Sequence, residues 1–123
     1  MRSPPEGLDG NELRDALARE WEFVADAAEY LPVGFGSYHW VVEDAAFERR
    51  FVTVDDLDAK RWLGGDRDSA FAGLRAAFDT AHALRERGGL DFVISPFPTQ
   101  RGESVGRIGD RYSIALFPMV DGS

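Results

Sequence analysis

The sequence predicts an α+β fold, in which an antiparallel β-sheet of about five strands carries an N-terminal helix and one further packed helix. Three observations support this fold class. The 123 residues are enough for one domain with its own core. Two segments repeat apolar residues at helical spacing, whereas shorter segments are rich in strand formers. Only the second helix separates strands by the length of a parallel crossover, so an antiparallel sheet is the simplest arrangement.

The first predicted helix covers about residues 10–28. Its apolar stripe recurs every three or four residues and consists of Leu13, Leu17, Trp21, Val24 and Ala28. Asp9 stands three positions before Glu12, which is typical of a capping box at a helix start. Residues 1–8 are rich in proline and glycine, and we expect them to be flexible.

Three strands are predicted next. EYLPV at 29–33 is short, and Pro32 restricts it to a sheet edge or a strand start. GFGS at 34–37 is the following turn. YHWVVED at 38–44 and RRFVTVDDL at 49–57 are the second and third strands, joined by a hairpin connection.

The second predicted helix covers about residues 68–87 and ends at two glycines. Its apolar stripe consists of Phe71, Leu74, Phe78, Ala81 and Leu84. Three further strands are predicted at 91–95, 104–108 and 111–120. The dipeptide GD at 109–110 predicts a tight hairpin between the last two strands.

The composition argues against several kinds of partner. The net charge is −8, whereas surfaces that bind nucleic acid are usually basic. The chain has no cysteine and only two histidines, which excludes thiolate metal sites and disfavours histidine-built ones. No apolar run approaches the roughly 20 residues that cross a bilayer, and the N-terminus lacks the apolar centre of a secretory signal. We therefore expect a cytoplasmic protein without nucleic-acid or membrane partners.

The order of these elements resembles the N-terminal, small lobe of kinase-like enzymes, and in particular that of aminoglycoside and choline phosphotransferases. LPVGFGSYHWVVED looks like the nucleotide-covering loop with its two strands, and RRFVTVDDL looks like the third strand. FAGLRAAFDTAHALRERGGL is similar to the helix that follows, DFVISPFP to the fourth strand, and YSIALFPMVDG to the fifth strand and hinge. The resemblance covers nearly the whole of residues 1–123, as one small lobe.

This resemblance implies a site for ATP or GTP, with Mg²⁺ in the intact enzyme. The residues that would lie over the phosphates are Gly34, Phe35, Gly36 and Ser37, although the same residues also suit an ordinary hairpin turn. Phe51 would cover the adenine. In the hinge, the Val120 N–H would donate to the base, the Pro118 carbonyl would accept from it, and Phe117 would form the back wall. The alternative for this segment is a buried strand that ends in a turn.

The sequence departs from the family at the phosphates. Thr53 occupies the position of the third-strand lysine, and one hydroxyl does not replace an ammonium group. Lys60 follows seven residues later and is either a substitute or a solvated loop residue. Residues 69–78 contain no glutamate that would orient such a lysine.

Each of the other candidate functional residues also has a simpler, structural interpretation. DDLD at 55–58 contains three acids that suit a divalent cation, but such a strand end is more often solvated. His39 stands beside Trp40 in a predicted strand, and His82 lies one step off the stripe of the second helix. We interpret both histidines as structural.

Two functional hypotheses follow from the resemblance. In the first, the chain is the nucleotide-binding lobe of a small-molecule phosphotransferase that acts on an amino sugar, a choline-like alcohol or a related hydroxyl. The family's large lobe, with its catalytic and metal-binding carboxylates, would begin just beyond Ser123. We therefore expect a fragment or a free-standing lobe, with no catalytic residue, no metal site and no phosphoryl transfer of its own.

In the second hypothesis, the chain is a pseudokinase-like module that binds a partner or itself. Thr53 and the missing glutamate favour this alternative. We then expect an exposed apolar surface around Phe51, Phe117 and Met119, through which the chain forms a homodimer.

Overall fold

The structure is a computed structural model that describes residues 8–31, 37–58, 65–86 and 96–118, with backbone alone at 80–86. The elements are α1 (Gly10–Trp21), β1 (Ala27–Leu31), β2 (Ser37–Glu43), β3 (Arg49–Asp56), α2 (Arg67–Glu86), β4 (Gly106–Ile108) and β5 (Tyr112–Pro118). The strands form one sheet in the order β1-β2-β3-β5-β4, and each neighbouring pair is antiparallel. The predicted fold class is therefore confirmed. Neither described helix is long and apolar enough to span a membrane.

Helix α1 is shorter than predicted. Its start is as expected, since the Asp9 carboxylate accepts the Glu12 N–H at 2.8 Å. It ends at Trp21, because Glu22 adopts a left-handed conformation with a φ of 54° and donates its N–H to the Ala18 carbonyl at 3.1 Å. The predicted extension to residue 28 is wrong. Val24, assigned to the apolar stripe, is instead 67% exposed.

One face of the sheet, here called the α1 face, forms the main core with α1. Successive residues of a strand point to opposite faces, so alternate positions of the central strands point towards this helix. The core consists mainly of Leu13, Ala16, Leu17, Trp40, Val42, Val52, Val54, Tyr112, Ile114 and Leu116. At about 25 cal/mol per Å² of buried apolar area, this layer is the main favourable term in folding.

Helix α2 packs on the opposite side of the sheet, here called the α2 face. The Phe78 ring meets the Phe117 ring edge-on at 5.8 Å, and Arg107 of β4 donates to the Asp68 carboxylate at 2.6 Å. Its observed bounds, Arg67–Glu86, lie within one residue of the predicted ones. Its first turn is capped by Asp66, whose carboxylate accepts the Ser69 N–H at 2.7 Å, and this hydrogen bond lowers the pKa of Asp66.

The hairpins confirm most of the strand predictions. Strand β1 begins two residues earlier than expected and lies at the sheet edge, as Pro32 predicts. Between β2 and β3, the Asp44 carboxylate accepts two backbone N–H groups of the turn. Strand β4 begins at residue 106 rather than 104, and its turn into β5 is closed by Gly109 with a φ of 58°. The strand predicted at 91–95 lies outside the described residues.

Strand β4 approaches α1 closely at Gly106. A Cβ atom at this position would stand 2.9 Å from the Glu20 Cγ and 3.2 Å from its carboxylate. Glu20 is only 8% exposed, and Arg101 holds its carboxylate at 3.4 Å. The Glu20 side chain therefore has little freedom to move aside.

We predict that Gly106→Ala lowers the free energy of unfolding by about 1–3 kcal/mol, because the added methyl group overpacks against Glu20. Urea denaturation followed by circular dichroism measures this change. The matched control is Gly10→Ala, where a Cβ meets nothing within 4 Å, and which we expect to be neutral or stabilising. A cost for Gly106→Ala that persists undiminished in a Glu20→Ala background would contradict the steric explanation.

Candidate functional site

The α2 face carries three rows of side chains across the central strands. Directly opposite residues of antiparallel strands share one face, so the strand register defines these rows. The aromatic row consists of Val41, Phe51 and Phe117. The middle row consists of His39, Thr53 and Ala115. The polar row consists of Ser37, Asp55, Ser113 and Arg107. The face therefore changes from apolar to polar along the strand direction.

The aromatic row contains two of the predicted site residues. Phe51 of β3 stands directly opposite Phe117 of β5, and both are half-buried. The His39 ring stacks on Phe51 at 5.0 Å between ring centroids, with 19° between the planes. Pro118 ends β5 beside this row. The row offers a flat aromatic surface on which a planar ligand can stack.

The middle row contains Thr53, the residue at the predicted lysine position. Its hydroxyl oxygen lies 3.2 Å from the His39 Nδ1. Burial lowers the pKa of His39 below its ordinary value, and the nearby Asp55 carboxylate opposes this effect by raising it. His39 therefore contacts Phe51 and Thr53, and its interpretation as structural stays a prediction. Because Trp40 faces the core, its neighbour in the strand must face the opposite side.

The polar row contains a buried carboxylate. Asp55 is 3% exposed and accepts a hydrogen bond from the Ser37 hydroxyl. The interpretation of DDLD as solvated is therefore wrong for Asp55, and also for Asp56, which is 8% exposed. The neighbouring Ser113 is 1% exposed, and its hydroxyl finds no hydrogen-bond partner among the described residues.

The other two acids of DDLD are paired with arginines. Asp56 faces away from Asp55 and accepts two hydrogen bonds from Arg111, at 3.1 and 2.9 Å. Asp58 accepts two from Arg67, at 2.8 and 2.9 Å. Among the residues that the structure describes, no group of three acidic or histidine side chains is suited to hold a metal ion.

An open cleft of about 540 Å³ lies beyond the polar row, between the start of α2 and the β4–β5 hairpin. It is lined by Asp58, Gly65, Asp66, Arg67, Asp68, Arg107 and Asp110. Arg67 binds Asp58, and Arg107 binds Asp68 and the Asp110 carbonyl. The arginines of this cleft are therefore already engaged by its aspartates and backbone, and the aromatic row lies elsewhere.

The fold is similar to that of two solved phosphotransferases. No protein-family profile matches the sequence, and no curated protein matches it significantly. A spectinomycin phosphotransferase, solved in complex with ADP and spectinomycin, matches 96% of this chain with a TM-score of 0.70 and 10% identity. The chain has the fold of a kinase-like small lobe.

A second solved structure supports the same fold. An amicoumacin kinase, in complex with AMP-PNP, Ca²⁺ and Ami, matches 94% of the lobe with a TM-score of 0.58 and 14% identity. The lobe spans about a third of each of these two chains, 31% and 32% respectively. At such low identity, the likeness concerns the fold.

Within this lobe, the structure brings four of the predicted site residues onto one face, namely Ser37, Phe51, Thr53 and Phe117. The ninth predicted residue, Pro118, pairs with Arg50, so its ring points to the α1 face. The remaining loop and hinge residues, Gly34, Phe35, Gly36 and Val120, lie outside the described residues, as does Lys60.

Substitution of the two serines of the polar row by alanine is predicted to have different effects on the free energy of unfolding. Ser37→Ala removes a hydrogen bond to a buried carboxylate and lowers the free energy of unfolding by about 1–2 kcal/mol. Ser113→Ala removes a buried hydroxyl without a described partner and leaves stability unchanged or raises it by about 1 kcal/mol. Each variant is the control for the other in urea denaturation. A loss on Ser113→Ala as large as that on Ser37→Ala would show that the Ser113 hydroxyl is bonded.

His39 is predicted to make the lobe less stable in mild acid. Its folded-state pKa lies below its ordinary value of about 6.5. As the pH falls below that value, the unfolded chain takes up the proton before the folded chain does. Stability therefore decreases until the folded form is also protonated. Between pH 7.5 and pH 5.5, the urea midpoint of His39→Gln should decrease less than that of the original chain. Equal decreases in the two proteins would contradict this assignment.

Proposed function

We propose that the chain is the nucleotide-binding small lobe of a small-molecule phosphotransferase, similar to those that act on aminoglycosides. The observation that carries the proposal is the Phe51–Phe117 pair, which presents half-buried aromatic surface beside the Pro118 end of β5. A purine ring is flat and apolar on its faces, so it fits such a surface. The two solved proteins of similar fold are complexes with ADP and with AMP-PNP and Ca²⁺.

The polar end of the same face is proposed to receive the sugar and phosphates. Ser37 directly follows the sequence Gly34-Phe35-Gly36, and Thr53 lies one row from the aromatic pair. ATP or GTP with Mg²⁺ is the proposed cofactor, the metal being held by the phosphates and by the rest of a longer protein. The catalytic base would also come from there, so the isolated lobe should not transfer phosphate. The cysteine-free sequence accords with a cytoplasmic location.

The test is a titration of the ¹⁵N-labelled chain with adenosine, ADP and ATP, followed by NMR, which detects even millimolar affinity. We expect shifts at Phe51, Thr53 and Phe117 in the original chain. Phe51→Ala should weaken binding about tenfold, because base stacking contributes about 1–3 kcal/mol. The matched control is Phe47→Ala, since Phe47 is 79% exposed at the β2–β3 turn and does not belong to the rows.

A second candidate function is a pseudokinase-like module that self-associates. Two observations favour it: Thr53 supplies no charge at the lysine position, and Phe51 and Phe117 are only half-buried by the described residues. Sedimentation equilibrium of the original chain and Phe51→Ala distinguishes the two candidates. A homodimer that Phe51→Ala disrupts, together with no nucleotide shifts, would favour this module. A monomer that binds nucleotide would exclude dimerisation through this face.

A further inference from the structure

His39 occupies the position between the aromatic row and the polar row. It pairs with Thr53 across β2 and β3, and its ring stacks on Phe51. One ring nitrogen, Nδ1, lies 3.2 Å from the Thr53 hydroxyl. Successive residues on one face of a strand lie about 6.6 Å apart. His39 covers one face of the Phe51 ring, so a base would pack on the remaining surface of Phe51 and on Phe117, with its next groups about one row from His39.

Few groups on the described part of this face can carry a positive charge. On β2, β3 and β5 they are His39 and Arg49, and Arg49 already lies 4.0 Å from the Glu43 carboxylate. Arg107 of β4, at the far end of the polar row, donates to Asp68. Next to the Phe51–Phe117 pair, the described part of this face therefore has one group that can become a cation and is not paired with a carboxylate, namely His39.

Three acids surround His39, and of these Asp55 raises its pKa and so favours its protonation. Asp55 of β3 lies in the adjacent row, where Ser37 donates to it. Glu29 of β1 is exposed and stands opposite Val41, one row towards the aromatic end. The Glu43–Arg49 pair lies one row further. Burial opposes the effect of Asp55, and its larger effect keeps the pKa of His39 low in the free chain.

We propose that His39 is a proton-linked contact for the phosphates of a nucleotide whose base stacks on Phe51 and Phe117. The inference rests on the proposed nucleotide function. In the free lobe, burial lowers the pKa of the imidazole and so favours its neutral form. A phosphate within hydrogen-bond reach of His39 gives the imidazole a second negative neighbour besides Asp55. This second negative charge favours the imidazolium form. Nδ1–H then donates to the Thr53 hydroxyl, Nε2–H donates to a phosphate oxygen, and the complex takes up as much as one proton from solvent.

The first test measures calorimetric affinities of the full chain for ATP and for adenosine at pH 6 and pH 8. The phosphates of ATP also titrate in this range, so His39→Gln is compared under identical conditions. We expect ATP to bind more tightly at pH 6 in the original chain than in His39→Gln, by up to about tenfold per unit of pKa change. Adenosine, which lacks phosphates, should show neither the pH dependence nor sensitivity to the substitution.

A second measurement does not depend on the variant folding. The chain contains two histidines, His39 and His82, so NMR of the imidazole Cε1–H groups follows each one, with His82→Gln for assignment. Saturating ADP should raise the pKa of His39 and leave that of His82 unchanged.

The outcomes separate the inference from the function on which it rests. Nucleotide binding with identical pH dependence in the original chain and His39→Gln, or with no change in the His39 titration, overturns the inference and leaves the proposed function standing. An equal loss of affinity at both pH values overturns it too, because that result assigns His39 a packing role. Failure of adenosine and ATP alike to bind would overturn the proposed function and the inference with it.

Discussion

The rest of the structure depends on the register of β3 between β2 and β5. A strand alternates its side chains, so Val52 and Val54 enter the core while Phe51, Thr53 and Asp55 point to the opposite face. A slip of one residue would exchange the two sets. It would place a carboxylate in the apolar layer, where burial without hydrogen bonds costs several kcal/mol. The hydrophobic effect that selects this register therefore also assembles the candidate site.

The two helices cover the sheet unequally, and this difference gives the α2 face its character. Helix α1 closes the core, with Leu13 and Leu17 buried against the central strands. Apart from the bonds between Arg67 and Asp58, the contacts of α2 described above lie towards β4 and β5, through the Phe78–Phe117 contact and the hydrogen bond from Arg107 to Asp68. On the β2 and β3 side of that face, Ser37, His39 and Phe51 are half-buried, whereas Val41, Thr53 and Asp55 are buried. A ligand can therefore reach Phe51 and His39 without unpacking the core.

Local patterns in the sequence predicted the fold class, α2 and the antiparallel hairpins, because periodicity and turn residues are properties of short segments. The end of α1 was predicted wrongly, since Ala28 of β1 continues the helical spacing and Glu22 gives no glycine signal for its left-handed cap. Asp55 was interpreted as solvated because its burial comes from strands far away in the sequence.

By itself, the sequence determined which residues of each strand share a face, and so placed Phe51, Thr53 and Asp55 together. Only the tertiary structure decided their neighbours on the other strands: His39 beside Thr53, and Phe117 opposite Phe51. Alternation is a property of one strand's backbone, whereas register, burial and the pKa of a histidine depend on which distant strands pair with it.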